Sequence, residues 1–235
     1  MKLITKEEIL ARHDLAESLD ITRRISKDQE GYMCHEYVHI LYVLKEMMGN
    51  FCNNYLEIGT HNAGSIMTVM QSKYKTSFFG LDLWNNQSDM AIANNNISKN
   101  NKHNHSYELI KGNSMKDAVF NRVKKKCPQI DFLFIDGGHM YNNVINDFER
   151  YAKLVTKNGI IVFDDYLYMD RTNHGFSPAV VARKIQVRKA VDHLMKEHGH
   201  AFNIIGTIPN NVGAQPEGVK WDDNLSYIIQ NISYE

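Results

Sequence analysis

Five short apolar runs constrain this chain more than anything else in it: FCNNYLEIG (51–59), TSFFGLDLW (76–84), SYELIKG (106–112), IDFLFIDG (130–137) and GIIVFDDY (159–166). Helical rhythm fills much of the space between them, in GSIMTVMQSKY, MKDAVFNRVKKK and YNNVINDFERYAKLV. In the last of these Tyr141, Val144, Ile145, Phe148, Tyr151 and Leu154 fall on one face. Runs that are apolar on both sides and alternate with helices predict a parallel sheet covered on each face. Right-handed crossovers then give a doubly wound α/β domain. The segment NNNISKNNKHNHS (94–106) is low in complexity and reads as a mobile surface loop.

The flanks follow different rules. Thr5 to Glu8 spell a capping box, and YMCHEYVHILYVLKEMMG (32–49) reads as a helix stopped by Gly49. The tail predicts a helix from about Ala179 to His198. Two strands, FNIIGTI and LSYIIQNI, follow it without a helix between, which suggests an antiparallel pair closing one edge. At 235 residues one domain is the default. It divides into a helical extension (1–50), a core (51–166), and a substrate side with closing strands (167–235).

Charge and cysteine content set the limits. Lysine plus arginine equals aspartate plus glutamate, 27 each, which argues against a nucleic-acid partner held by phosphate neutralisation. Cys34, Cys52 and Cys127 have no metal-type spacing and read as reduced thiols. The charged N-terminus lacks a signal-peptide core, and no run approaches the ~20 apolar residues that cross a bilayer. A soluble, cytoplasmic protein without a membrane partner is expected.

In an open α/β sheet, ligands gather at the carboxyl ends of the strands. The first run ends in LEIGTHNAGS, offering Glu57, Gly59, Thr60, Gly64 and Ser65. The Gly59-to-Gly64 spacing does not fit the G-x-G-x-x-G dinucleotide fingerprint. Glu57 would also repel a pyrophosphate, and an acid there suits a cationic ligand such as S-adenosylmethionine. Asp82 ends the second run, placed to bind ribose hydroxyls, with Leu83 or Trp84 for adenine. Asn113 and Ser114, after the third run, could reach the base edge.

With YLEIGTHNAGS, FFGLDLW and DFLFIDGGHMYNNVINDFERYAKLVTKNGIIVFDDY in order, the chain resembles class I S-adenosylmethionine-dependent methyltransferases. Within them it is similar to the group whose strands end in IDGxHxY and DDY. The match spans roughly residues 52 to 166. The resemblance implies a mostly parallel seven-stranded Rossmann-like sheet with an antiparallel C-terminal strand. It also makes the strands ending in Asp136 and in Asp164–Asp165 direct neighbours. Carboxylates on adjacent strands, ~4.8 Å apart, repel by about 3 kcal/mol at an effective dielectric of 20, enough to retain a proton or recruit a cation. Asp136, Asp164 and Asp165 would thus form a hard oxygen site for Mg²⁺, Mn²⁺ or Ca²⁺. Asp136 also borders the cofactor.

Catechol-type and macrocin-type O-methyltransferases, which the chain resembles, hold a metal at these strand ends. The macrocin type carries a further acid where this chain has Gly138. His139 stands where the catechol type has its lysine base. It is expected either to take the proton of a metal-bound hydroxyl or to contact the cofactor. The acceptor is expected to be a small hydroxylated molecule, a sugar or vicinal diol. The alternatives are a metal-independent N- or O-methyltransferase and a non-catalytic binding module. A loop after Tyr166, carrying Tyr168, His174, Gly175 and Phe176, reads as a lid. Arg183, Lys184, Arg188 and Lys189 would suit an anionic acceptor if they faced the cleft. Glu30, Tyr32 and His35 are further candidates, and the N-terminal helices could build a homo-oligomer.

Overall fold

Ile58 and Ile135 sit side by side at the ends of two parallel strands, and the rest of the sheet is built outward from that pair. The computed structural model describes residues 1–12, 15–28, 30, 38–166, 186–208 and 226–234. Its strands are β1 (Asn54–Ile58), β2 (Ser77–Asp82), β3 (Ser106–Lys111), β4 (Ile130–Ile135), β5 (Val155–Phe163), β6 (Phe202–Thr207) and β7 (Tyr227–Asn231). They lie in the order β3-β2-β1-β4-β5-β7-β6. The first five are parallel, and β7 runs antiparallel between β5 and β6. This is the Rossmann-like methyltransferase architecture: the two tail strands pair as expected, and β6 becomes the sheet edge.

Period-2 alternation in the strands feeds two cores. Tyr55, Phe78, Phe132, Phe134, Ile160 and Val162 point into one. Leu56, Ile58, Leu81, Leu133, Ile135, Ile161 and Phe163 point into the other. The first is covered by α2 (Leu15–Asp28), α3 (His39–Met48), α4 (Gly64–Val69) and α5 (Gln87–Asn100), which contribute Ile25, Leu44, Ile66 and Ile97 among others. The second lies under α6 (Asp117–Lys126), α7 (Tyr141–Tyr151) and α8 (Val187–His198), through Val123, Phe148 and Val191. Burial of this kind contributes roughly 1.5–3 kcal/mol per large side chain, so strands apolar on both sides hold the sheet between its helices.

At the N-terminus, α1 (Lys6–Leu10) opens on the expected capping box. Glu8 N–H donates to Thr5 Oγ1 at 3.2 Å and Thr5 N–H to Glu8 Oε2 at 3.0 Å. Within the described residues α3 begins at His39, and α8 covers the tail helix from Val187.

The asparagine-rich segment departs from expectation. Residues 94–100 belong to α5, and Asn96, Asn100 and His105 are buried. Their polar groups are paired. The Asn96 amide donates to the Glu30 and Asn62 carbonyls, and that of Asn101 to the His105 carbonyl. His105 Nε2 meets the Met70 and Ser72 carbonyls. Side chains that pair with distant backbone can be buried, which a local reading of polarity misses.

Candidate active site

Backbone hydrogen bonds continue past the strands and draw their ends together. Gly59 N–H donates to Leu81 O and Asp136 N–H to Ile58 O, both at 2.8 Å, and Asp164 N–H to Ile135 O at 3.0 Å. Gly59, at φ +94°, makes this possible: a Cβ there would lie 1.9 Å from the Asp136 carbonyl oxygen. Only glycine takes that conformation at that separation. Of the six non-glycine residues with positive φ among those described, Asn104, Asn158, Asp165 and His61 are of types that take it more readily than Ala63 and Trp84. His61, Ala63, Trp84 and Asp165 all stand in the loops at these strand ends. Backbone strain of this kind collects at functional sites.

The β1 end forms a buried acid pocket. Glu57 is fully buried and accepts from Tyr55 Oη at 2.8 Å and Ser65 Oγ at 2.7 Å. Burial, partly offset by those two hydroxyls, pushes its carboxyl up to about 8. Gly64 and Ser65 open α4 beside it. Thr60 is 2% exposed, and its hydroxyl oxygen has no hydrogen-bond partner among the described residues. Asp82 clamps two loops: one carboxylate oxygen accepts from His61 N–H at 2.9 Å, the other from Trp84 N–H at 2.8 Å. Each oxygen keeps a lone pair for a further donor.

Trp84 and its neighbour divide their roles. The Trp84 ring is 2% exposed, packed in the core, and its indole N–H donates to His61 O at 2.8 Å. Leu83 is 50% exposed and offers the apolar surface beside Asp82. Asn113 Oδ1 turns inward to Met115 N–H at 2.9 Å, and the Ser114 carbonyl accepts from Tyr151 Oη.

Between β4 and β5 the ligating atoms of Asp136, His139 and Asp165 all lie within 4.8 Å of one another. His139 Nε2 is 3.6 Å from an Asp136 oxygen and 3.2 Å from one of Asp165. The Asp136 side chain keeps 30% of its surface. Burial, and the charges of Asp165 and Glu57, nevertheless raise its carboxyl well above the usual range, against a side-chain hydrogen bond with Asp164. Two carboxylates converging this closely are the hard oxygen donors that suit a small divalent ion, with the His139 imidazole beside them. Asp164, 2% exposed, is outside the trio and accepts from Ser226 Oγ at 3.1 Å.

The remaining candidates are occupied elsewhere or not described. Glu30 is bound by Asn95 and Lys99 of α5. Arg188 lies over the Tyr166 ring and near Asp192, and Lys189 over the Tyr141 ring. Tyr32, His35, Arg183, Lys184 and the residues of the expected lid beyond Tyr166 lie outside the described residues.

Asp147 was not anticipated. It is 1% exposed, and burial, partly offset by the Ser114 hydroxyl and the Arg150 charge, pushes its carboxyl up to about 6. Its signal was available: it shares helical spacing with Val144 and Tyr151, on the buried face of α7.

Residues 56–166 match the methyltransferase-domain family. An uncharacterised protein of Acanthamoeba polyphaga mimivirus is 35% identical over 216 residues, covering 88% of this chain and 91% of its own. The chain belongs to the class I S-adenosylmethionine-dependent methyltransferases. Solved structures agree on the fold of this methyltransferase. An O-methyltransferase from Bacillus cereus, in complex with S-adenosylhomocysteine, superposes with a TM-score of 0.60 at 18% identity, over 94% of this chain and 91% of its own. MycE, from the mycinamycin biosynthetic pathway, in complex with Mg, S-adenosylhomocysteine and mycinamycin VI, gives 0.55 at 16% identity. That match covers 95% of this methyltransferase and 56% of MycE. No described helix is long and apolar enough to cross a membrane.

Proposed function

We propose that this methyltransferase moves the methyl group of S-adenosylmethionine to a hydroxyl of a small molecule, a sugar or vicinal diol, with a divalent ion held at Asp136 and Asp165. The convergence of Asp136, His139 and Asp165 beside the buried Glu57 carries this reading. Glu57, Thr60, Gly64 and Ser65 line the end of β1 where the amino-acid part and sulfonium would lie. Asp82 would take the ribose, and Leu83, with Asn113 and Ser114, the adenine. Acid walls suit a cationic donor and disfavour a dinucleotide. The B. cereus and MycE complexes, one with S-adenosylhomocysteine and one with Mg as well, support the same choice by analogy of fold.

The ion would supply Lewis acidity, lowering the pKa of a bound hydroxyl. The chain's own residues do the rest. As the S–CH₃ bond breaks and the O–CH₃ bond forms, the hydroxyl proton passes to the His139 imidazole, which the neighbouring carboxylates orient. Rigid strand ends hold nucleophile and methyl in line, where most of the rate gain arises. The core at 51–166 carries both sites. The flanking parts, 1–50 and 167–235, are the proposed source of acceptor contacts in a cytoplasmic, self-associating enzyme.

One observation favours a metal-free variant: His139 already pairs with Asp165 at 3.2 Å, so the acids could instead receive a substrate amine. The experiment is methyl transfer to a panel of sugars, diols and amines, with Mg²⁺ or with chelator. Hydroxylated acceptors methylated only with metal support the proposal; chelator-insensitive turnover overturns its metal half.

A further inference from the structure

Gln186 is bonded to the residues on both sides of Met140. Its backbone N–H donates to the His139 carbonyl at 2.7 Å, and its side-chain Oε1 accepts from the Tyr141 N–H at 3.2 Å. Tyr141 is the first residue of α7, and Met140 at the N-cap makes no side-chain hydrogen bond to the helix. First-turn N–H groups have no partner inside their helix, and an N-cap methionine cannot supply one. The missing cap comes from 45 residues further along the chain. Gln186 is itself the N-cap of α8, its carbonyl accepting from Ala190 N–H at 3.1 Å.

Gly137 and Gly138 precede His139, and Met140 is 44% exposed. The His139 ring reaches Asp165 on the other side. The chain thus leaves this histidine at Asp165 and comes back to it at Gln186.

We propose that Gln186 is a positioning residue for His139. By capping Tyr141 it fixes the start of α7, and with it the direction in which the imidazole faces Asp136 and Asp165. The proposal rests on the reading of His139 as part of the methyl-transfer site.

The test is NMR of histidine-labelled protein, with the His139 ring signals identified by their loss in His139→Gln. In Gln186→Ala those signals shift or broaden, while those of the distant, buried His105 stay in place and report an intact fold. Gln186→Glu keeps an acceptor oxygen and restores them. With an acceptor in hand, Gln186→Ala lowers kcat about ten-fold and leaves KM for S-adenosylmethionine unchanged. His139 signals in Gln186→Ala that coincide with wild type overturn the proposal, as does a Gln186→Glu protein that behaves like the alanine variant. Failure of the wild type to bind S-adenosylhomocysteine would count against the methyl-transfer reading alone, because the NMR comparison decides the tether without it.

Discussion

His139 Nε2 lies 3.2 Å from Asp165 Oδ2, bridging the loops that follow two neighbouring strands. A ring held in this way keeps its orientation, as the proposed role of base requires. His139→Ala is expected to lower methyl transfer 10²- to 10⁴-fold, about the worth of general base catalysis, with the affinity for S-adenosylhomocysteine unchanged. Calorimetry beside turnover checks it. A large loss of affinity with turnover intact would make the histidine a cofactor contact instead.

Glu57 separates binding from folding. Its carboxyl, pushed up to about 8 by burial, is mostly neutral at pH 7, so the isosteric Glu57→Gln leaves the stability at that pH nearly unchanged. A cationic donor, however, would draw the ionised form. The variant is expected to bind S-adenosylmethionine about ten-fold more weakly, the size of one lost charge-assisted hydrogen bond. Equal affinity in calorimetry would remove Glu57 from the cofactor site.

Gly59 permits the close approach of the first strand's end to the fourth's. Gly59→Ala introduces a Cβ 1.9 Å from the Asp136 carbonyl at φ +94°. The expected loss is at least about 2 kcal/mol of unfolding free energy, read from urea denaturation, together with loss of cofactor binding.

Asp147 gives a pH signature of defined sign. Burial raises its carboxyl from 3.8 to about 6 in the folded chain, so the native state favours the protonated form. The stability this confers is full below the unfolded value and disappears as pH rises through about 6, a loss of about 3 kcal/mol by pH 7. Asp147→Asn removes that slope. The stability of the variant relative to wild type should therefore climb between pH 4 and 7 in urea titrations. A constant difference across that range would contradict the burial of this charge.

Much of this could be read from sequence because its physics is local. Apolar runs such as IDFLFI cannot be exposed, and their termination in aspartates marked the strand ends where the acids meet. What escaped depends on distant partners or on a single torsion. Asn96 and Asn100 of α5 are buried because Glu30, Asn62 and Met67 take their amide hydrogens. Trp84 and Leu83 exchange core and surface within one step of chain, at a backbone φ of 35°. Asp164 and Asp165 look equivalent as letters, yet φ of 54° at Asp165 turns it to His139 while Asp164 meets Ser226. Gln186 carries no local mark at all.

The most direct measurement is electron paramagnetic resonance of Mn²⁺ titrated into protein saturated with S-adenosylhomocysteine. One ion bound per chain, lost in Asp136→Asn and Asp165→Asn and retained in Asp164→Asn, is the predicted result. A spectrum of free Mn²⁺ in wild-type protein, or binding that survives both substitutions, would contradict the account.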